Sequence, residues 1–309
     1  MKYGIWNIST YETEYLQPLL QAGFSPLTAR VLCSRGLTTP ESARDFLSCV
    51  ATLPDPFLLR EMDAAVQRIL QALEQGERIA VYGDYDVDGV TSVCTIYLYL
   101  KSKGANVDYY IPDRTGEGYG MNCGAIDALK GRGTDLIVTV DNGISAIEEI
   151  EYARSLGIDV VVTDHHRVGD VLPDAVAVVD PHREDSLCEF SDWAGVGVAF
   201  KFITALNNSE GYELLEQYGD IVALGTVADI VSLKGENRII VRSGIAFMNA
   251  ALEDGTLRLG LKALLDASGS TGTLDSSAVA YRIAPRINAA GRMGSAERAL
   301  KLILTENRA

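Results

Sequence analysis

Short runs of β-branched residues alternate with helical segments through the middle of this chain, and this alternation restricts the possible folds more than any other feature. The runs with strand character are Arg78–Tyr82, Val107–Ile111, Leu136–Val140, Val160–Thr163 and Ala175–Val179. Segments with helical character, Gly89–Lys103 and Ser145–Leu156, separate two pairs of these runs. Strands joined by helices form parallel sheets that are covered on both faces. We therefore predict an α/β fold with a parallel β-sheet flanked by helices.

The segments on either side of this region are predicted to be helical extensions. Ser25-Pro26 and Thr39-Pro40 each place a capping residue before a proline, which is typical of a helix start. After Trp193 the sequence is mainly helical. The predicted divisions are an N-terminal helical region (1–60), an α/β domain (61–235) and a helical extension (236–309).

Composition excludes several classes of protein. The 309 residues are 47% hydrophobic and 22% charged, as in folded globular proteins, and the net charge of −15 argues against a simple DNA-binding module. The sequence has no apolar run of membrane-spanning length and no secretory signal, and its five cysteines form no zinc or disulfide motif. We expect a cytoplasmic protein without membrane contact.

Acidic residues and all three histidines follow the ends of the predicted strands. The residues at these ends are Asp84, Asp86 and Asp88 after the first strand, then Asp141, then Asp164-His165-His166, and finally Asp180 and His182. The carboxyl ends of parallel strands form one edge of the sheet, where ligands of such folds bind. The sequence therefore predicts a functional site at this edge, with the role of His182 left open between the site and loop hydrogen bonding.

The run Asp84 to Asp88 has three interpretations. It is a solvated acidic turn, a calcium-binding EF-hand loop, or part of a hydrolytic metal site. The EF-hand interpretation fails because the twelfth loop position is Thr95 instead of glutamate and a strand precedes the loop. Clustered carboxylates repel one another unless cations are present, and two divalent ions about 3.5–4 Å apart make a phosphoester-cleaving centre. Asp141 is placed to bridge them, and the nitrogen of His165 suits Mn2+ better than Mg2+.

Six motifs, in order, resemble those of one superfamily. Three of them, Gly83–Gly89, Asp141–Gly143 and Thr163–His166, resemble successive motifs of the DHH phosphoesterases, and Gly225–Val231 resembles the motif with their last metal aspartate. Two further stretches, Gly195–Lys201 and Pro285–Met293, resemble the RecJ-like branch of single-strand-specific DNA exonucleases. The resemblance runs from about residue 60 to the end.

The resemblance implies a set of site residues. The implied ligands of two ions, Mn2+ or Mg2+, are Asp84, Asp86, Asp88, Asp141, His165 and Asp229. The implied catalytic residues are Asp141, His165 and His166, with His166 beside the scissile phosphate or behind the ligands. Many superfamily members have a histidine where this chain has Tyr82, and Asp84 is the expected substitute.

Substrate contacts are predicted in two places. In the loop Pro112–Gly120, Arg114 and Tyr119 are candidates to hold a terminal nucleotide by charge pairing and base stacking, with a mobile surface loop as the alternative. The second place is a basic series that includes Arg286 and Arg292, whose grouping near Asn288 favours phosphate contact over a solvated helix face.

The function implied by the resemblance is a metal-dependent 5′ to 3′ exonuclease that hydrolyses single-stranded DNA to 5′-mononucleotides. Its implied partners are single-stranded DNA with a 5′ end, a single-strand-binding protein and a helicase. The alternatives are another DHH phosphoesterase, acting on short oligonucleotides, cyclic dinucleotides or pyrophosphate, and a catalytically inactive replication relative. RecJ-like proteins continue into further C-terminal domains, so we expect a fragment or a short gene product.

Overall fold

The computed structural model describes residues 10, 13–48, 53–113, 116–118, 120–270, 272–293 and 296–306. The chain divides into two compact units, Met1–Thr52 and Leu53–Ala309. The predicted boundaries at residues 60 and 235 stay predictions.

The first unit contains short helices around a small core of its own. Its helices are a 3-10 turn (Thr13–Tyr15), α1 (Leu16–Gln21), α2 (Pro26–Ser34) and α3 (Pro40–Ser48). The side chain of Ser25 accepts a hydrogen bond from the N–H of Thr28 at 3.2 Å, so the predicted cap of α2 is present. The buried apolar residues of this unit are Leu19, Ala29, Leu32, Cys33 and Ala43.

The second unit is built on a five-stranded sheet. Its strands are β1 (Arg78–Tyr82), β2 (Asn106–Tyr110), β3 (Leu136–Val140), β4 (Asp159–Thr163) and β5 (Ala177–Val179). Their order is β2-β1-β3-β4-β5, and every neighbouring pair is parallel. The predicted α/β fold with a parallel sheet is confirmed.

Helices cover both faces of the sheet and continue beyond it. The helices of this unit are a 3-10 turn (Pro56–Leu58), α4 (Met62–Gln75), α5 (Val87–Ser102), α6 (Cys123–Gly131), α7 (Ile147–Ser155), α8 (Gly195–Asn207), α9 (Tyr212–Ala228), α10 (Gly235–Asp254), α11 (Leu259–Ser268), α12 (Ser276–Ala278), a π-helical segment (Val279–Ile283), α13 (Ala284–Arg292) and α14 (Ala296–Ile303). Among the described residues, no helix combines the length and apolar character needed to cross a bilayer.

Alternate side chains of each strand enter two different cores. Val81 and Val138 pack in the larger core with residues of α4, α5, α8 and α9, whereas Ala80 and Ile137 pack in the smaller core with α6 and α7. This division follows from the two-residue period of a strand, which turns successive side chains to opposite faces. Both faces are therefore apolar, as the continuous β-branched runs indicate.

Several predicted elements differ from the structure at their ends, and one helix was missed. Helix α5 begins at Val87, two residues before the predicted Gly89, because the side chain of Asp86 caps it. The predicted strand Ala175–Val179 is wrong at its start, where the N–H of Ala175 instead donates to the carbonyl of Pro173 in a turn. Helix α6 was not predicted; its cap is Asn122, which accepts from the N–H of Ala125 at 2.8 Å.

The strand order places a switch point between β1 and β3. The chain leaves β1 for β2 on one side and later returns to form β3 on the other. Connections that diverge in this way leave a crevice at the carboxyl ends of the two central strands. The segment Asp84–Asp88 and the residue Asp141 follow those two strand ends, so the fold brings them to one crevice.

Close packing of α9 on α10 depends on Gly244, and we expect Gly244→Ala to destabilise the fold. An added Cβ there would collide with the carbonyl oxygen of Gly219 and approach Cβ of Ala223 to 2.6 Å. Overpacking of this kind costs about 1–3 kcal/mol of the free energy of unfolding, to be measured by urea titration. The control is Gly131→Ala in α6, where nothing lies within 4 Å. An equal loss in both variants would contradict the packing argument.

Candidate metal centre

The first turn of α5 presents two carboxylates at the crevice. Asp86 caps this helix by accepting from the N–H of Gly89 at 3.0 Å. Asp88 is 2% exposed, and its two oxygens accept from the N–H groups of Gly195 (2.6 Å) and Val196 (2.8 Å). These amides begin α8, where unpaired N–H groups favour a negative charge. The start of α8 therefore fixes the orientation of the Asp88 carboxylate.

Asp141 stands at the end of β3 in a strained backbone conformation. Its φ of 58° lies in the left-handed region, which non-glycine residues adopt at a cost. The backbone of Gly195 lies against it, since a Cβ on this glycine would stand 2.6 Å from Cβ of Asp141. The glycine at the start of α8 thus allows close packing, and that packing is against the candidate site.

The two histidines after β4 are held by different partners. The carboxylate of Asp164 is 1% exposed and accepts from the N–H groups of Ile144 (2.9 Å) and His165 (2.7 Å). It also accepts from Nδ1 of His166 at 2.7 Å. This contact occupies Nδ1, so any contact of the His166 ring with a substrate falls to Nε2.

His165 turns its Nε2 atom toward the carboxylates. Its Nδ1 lies 2.8 Å from the carbonyl oxygen of Trp193, which can only accept, so Nδ1 carries a proton. Nε2 lies 3.0 Å from Asp141 and 3.7 Å from Asp88. A backbone carbonyl that fixes the tautomer in this way is the usual support of a histidine that binds a metal through its other nitrogen.

The structure brings the predicted ligands together in overlapping groups. In each group the candidate ligand atoms lie within 4.8 Å of one another; the groups are Asp84, Asp86 and Asp141; Asp88, His165 and Asp229; and Asp141, His165 and His166. Asp141 belongs to two groups, and all six predicted ligands are included. Their arrangement fits the predicted two-ion site, although the assignment of each residue to an ion stays a prediction.

Burial and mutual repulsion shift the pKa values of this cluster. Burial, together with the charge of Asp229, raises the pKa of Asp88 to about 7. Burial and the charges of Asp88 and Asp86 raise the pKa of Asp141 well above its ordinary value. Burial opposes a charge on His165, but the carboxylates of Asp88, Asp229 and Asp164 raise its pKa. The raised pKa values of these carboxyl groups mean that the negative charge of the cluster is not fully balanced by the positive groups and hydrogen-bond donors around it.

The pKa of Asp164 moves the opposite way. Burial would raise it, but the hydrogen bond and charge of His166 and the two backbone donors lower it. His166 correspondingly has a raised pKa, chiefly from its hydrogen bond to Asp164. Asp164 is a positioning residue that the sequence analysis did not assign; its place between a buried strand and the two histidines was the available signal. The carbonyl of Trp193 is a backbone group and left no such signal.

The remaining predicted residues lie at different places. Arg114 and Tyr119 fall outside the described residues. Asn288 accepts from the N–H of Val87 at 3.2 Å and so touches the first turn of α5, while Arg286 and Arg292 are exposed on α13. Their roles toward a substrate stay predictions.

Tyr82 does not face the cluster. It is fully buried, donates to the carbonyl of Gly120 at 3.0 Å and stacks on Tyr110. His182 lies at the edge of the site, where its backbone N–H donates to the buried carboxylate of Asp180 at 2.7 Å and its ring Nδ1 lies 3.6 Å from the same carboxylate. The hydrogen-bonding alternative for His182 therefore has a contact in the structure.

The raised pKa values predict that the metal-free protein loses stability as the pH rises. The pKa values of Asp88 and Asp180 are both about 7, mainly because of burial, against about 3.9 for an unfolded aspartate. Stability from such groups is complete below about pH 4 and is lost as the pH rises through 7. Urea titrations in EDTA should show that the free energy of unfolding falls by at least about 1 kcal/mol over this range. The reason is that a pKa difference of one unit between the folded and unfolded states corresponds to about 1.4 kcal/mol.

The matched variant is Asp180→Asn, which keeps an acceptor for His182 but does not titrate. Its stability should fall less between pH 4 and pH 8 than that of the wild type. Stability that stays level or rises over this range in the metal-free wild type would contradict the burial argument.

The chain is similar to proteins of a known family. A model of the DHH family, N-terminal domain, matches residues 78–226. The single-stranded-DNA-specific exonuclease RecJ of Bacillus subtilis is 43% identical over 305 residues, which cover 98% of this chain and 38% of that protein.

Two solved structures of RecJ are also similar to this chain. A crystal structure of exonuclease RecJ bound to manganese has a TM-score of 0.71 and 38% identity, covering 84% of this chain and 63% of that one. A crystal structure of RecJ of Thermus thermophilus in complex with Mn2+ has a TM-score of 0.78 and 33% identity, and the match covers 97% of this chain and 42% of that one. The chain thus spans less than two thirds of the length of each of these relatives. The chain is a RecJ-like member of the DHH family.

Proposed function

We propose that this chain hydrolyses single-stranded DNA from its 5′ end to 5′-mononucleotides with two divalent cations, Mn2+ or Mg2+. The observation that carries the proposal is the convergence of five carboxylates and one histidine in the crevice between β1 and β3. The names of the relatives, single-stranded-DNA-specific exonucleases, support this substrate.

The donor set suits divalent cations of this kind. Asp84, Asp86 and Asp141 form an all-oxygen group, whereas the second group adds the nitrogen of His165 to Asp88 and Asp229. Oxygen ligands suit Mg2+ and Mn2+, and an added imidazole favours Mn2+. When bound, two such ions would offset the carboxylate charge, lower the pKa of a water molecule and stabilise charge on the phosphoryl oxygens.

The chain's own residues would hold the ions and orient the phosphate. Asp141, which is common to two groups, is the proposed bridge between the ions. His166 is the proposed contact to the scissile phosphate, because its ring is fixed through Nδ1 by Asp164 and its raised pKa favours the cationic form. Asp88 would bind through oxygens that the amides of Gly195 and Val196 already orient.

The proposed biological setting follows from the family. Single-strand-binding protein and a helicase are the proposed partners, since a nuclease for single strands acts on DNA that has been unwound. The cytoplasm is the proposed compartment.

The proposed reaction is tested by product analysis. With Mn2+, a 5′-labelled single strand should release mononucleotides in order from its 5′ end, and duplex DNA, a cyclic dinucleotide and pyrophosphate should react far more slowly. Asp141→Ala should abolish the reaction. Preferred hydrolysis of the cyclic dinucleotide or of pyrophosphate would assign the chain to the other DHH phosphoesterases instead.

Removal of the proposed bridging carboxylate of Asp141 should eliminate the binding of both ions. In Mn2+ titration calorimetry we expect Asp141→Ala to lose both binding events and Asp88→Ala to weaken mainly one, because only a bridging carboxylate serves both ions. Asp180→Asn, at the same edge but outside the proposed ligand set, is the control and should keep both events. Two ions bound to folded Asp141→Ala would reject the bridging role.

An exonuclease must distinguish a terminal phosphate, and we propose exposed Arg286 for this role. A guanidinium reads the extra charge of a 5′-phosphate through paired hydrogen bonds. One charge-assisted hydrogen bond contributes about 1.5–3 kcal/mol, so Arg286→Ala should bind 5′-phosphorylated strands about ten- to a hundred-fold more weakly. Strands with a 5′-hydroxyl should be largely spared.

The comparison uses Arg298→Ala, an exposed arginine on α14, as its control. Arg114→Ala is measured in the same way, as the second candidate. If Arg286→Ala loses the same factor on both kinds of strand, this arginine is a general backbone contact.

A further inference from the structure

A groove of about 410 Å3 lies beside the candidate metal centre. It lies between the end of α9 and the helical segment that contains α13, and its lining includes Ile230, Tyr281, Asn288 and Arg292. Ile230 directly follows Asp229, and Asn288 binds the backbone of Val87 in the first turn of α5. The groove therefore lies next to two segments that carry candidate ligands.

Ile230 is unfavourable at its position by two independent criteria. Its φ of 63° is left-handed, just after α9 ends, where glycine is preferred and a β-branched residue is a genuine outlier. Its side chain is also 90% exposed, so it contributes little to the core. A glycine would satisfy this turn better. Within the described residues the fold gives no reason for an isoleucine at this position.

Tyr281 is a second large side chain that the fold does not use. It is 81% exposed and belongs to the π-helical segment Val279–Ile283. Segments of this type are rare and occur frequently at functional sites. Ile230 and Tyr281 line the same groove, one from each side of it.

The charge of this region is opposite to that of the chain. Residues 276–293 contain three arginines and no acidic residue, whereas the whole chain has a net charge of −15. Arg282, Arg286 and Arg292 are all exposed, and Arg292 lines the groove itself. An apolar groove with an aromatic ring and exposed guanidinium groups matches a nucleobase and its phosphate.

We propose that this groove binds one unpaired base of the DNA strand, stacked on Tyr281 and packed against Ile230, with the adjoining phosphate at Arg292. The proposal rests on the proposed function, because the strand must pass the metal centre to reach the groove. Base stacking on aromatic rings tolerates every sequence. The groove would therefore recognise a single strand without selecting particular bases, and a paired base could not enter it.

The first test separates stability from binding at Ile230. Ile230→Gly should raise the melting temperature by about 2 °C or more through relief of backbone strain, yet weaken single-strand binding several-fold. The control is Asn208→Gly, which relieves a left-handed residue (φ 48°) after α8 and should leave DNA binding unchanged. A melting temperature that does not rise in Ile230→Gly would show that the fold itself needs the isoleucine, and would overturn the argument.

The second test follows the stacked base directly. The probes are single strands with phosphorothioate linkages, which slow hydrolysis, and with 2-aminopurine placed at successive positions. The fluorescence of 2-aminopurine should be quenched at one position near the cut. Tyr281→Ala should abolish this quenching. Tyr281→Ala should bind roughly 5- to 150-fold more weakly, the range for loss of one stacked base, whereas Tyr281→Phe and Tyr281→Trp should retain binding.

The outcomes distinguish the groove from the proposed function. If the wild-type chain binds and hydrolyses single strands, and Tyr281→Ala and Ile230→Gly bind and hydrolyse them equally well, the role of the groove is overturned and the proposed function stands. A wild-type chain that neither binds nor hydrolyses them overturns the proposed function and the groove together. Mn2+ titration of Tyr281→Ala should match that of the wild type, and a loss of ion binding would overturn a role confined to the groove.

Discussion

The repulsion among carboxylates that share one buried crevice is the constraint on which the rest of this structure depends. Asp84, Asp88 and Asp141 are each less than 4% exposed. Groups of like charge in such a place take up protons unless cations or hydrogen-bond donors compensate them. The raised pKa values of Asp88 and Asp141 record how incomplete that compensation is within the chain. The fold must therefore hold these groups together against a force that separates them.

Helix α8 provides much of that hold. Its first two amides bind both oxygens of Asp88, the preceding carbonyl of Trp193 binds His165, and the missing side chain of Gly195 lets the helix approach Asp141. A buried ion pair anchors the same helix, because Lys201 lies 2.9 Å from Glu236 on α10. The start of one helix thus connects three candidate ligands, so small shifts of α8 would alter all of them together.

Two of the four left-handed non-glycine residues in the described part of the chain lie at the same place. Asp141 and Ile230 both have left-handed conformations, and each lies at or beside a candidate ligand. Strained residues persist when the surrounding structure determines their conformation, and they cluster at functional sites. At Asp141 the strain accompanies a carboxylate that belongs to two ligand groups. At Ile230 it accompanies an exposed apolar side chain that lines the groove beside the centre.

The sequence by itself determined the positions of the strands and their parallel arrangement, and its resemblance to the DHH phosphoesterases supplied the six candidate ligands. The runs Arg78–Tyr82 and Leu136–Val140 were predicted at their true bounds, because a strand buried on both faces requires a continuous apolar run. Since parallel strands end at one edge, their terminal acidic residues and histidines could be assigned to one site. Only the tertiary structure decided the support given by Trp193 and Gly195, and the groove at Ile230. A backbone carbonyl, an amide and a left-handed turn are common to many residue types, so their roles arise only when distant segments pack together.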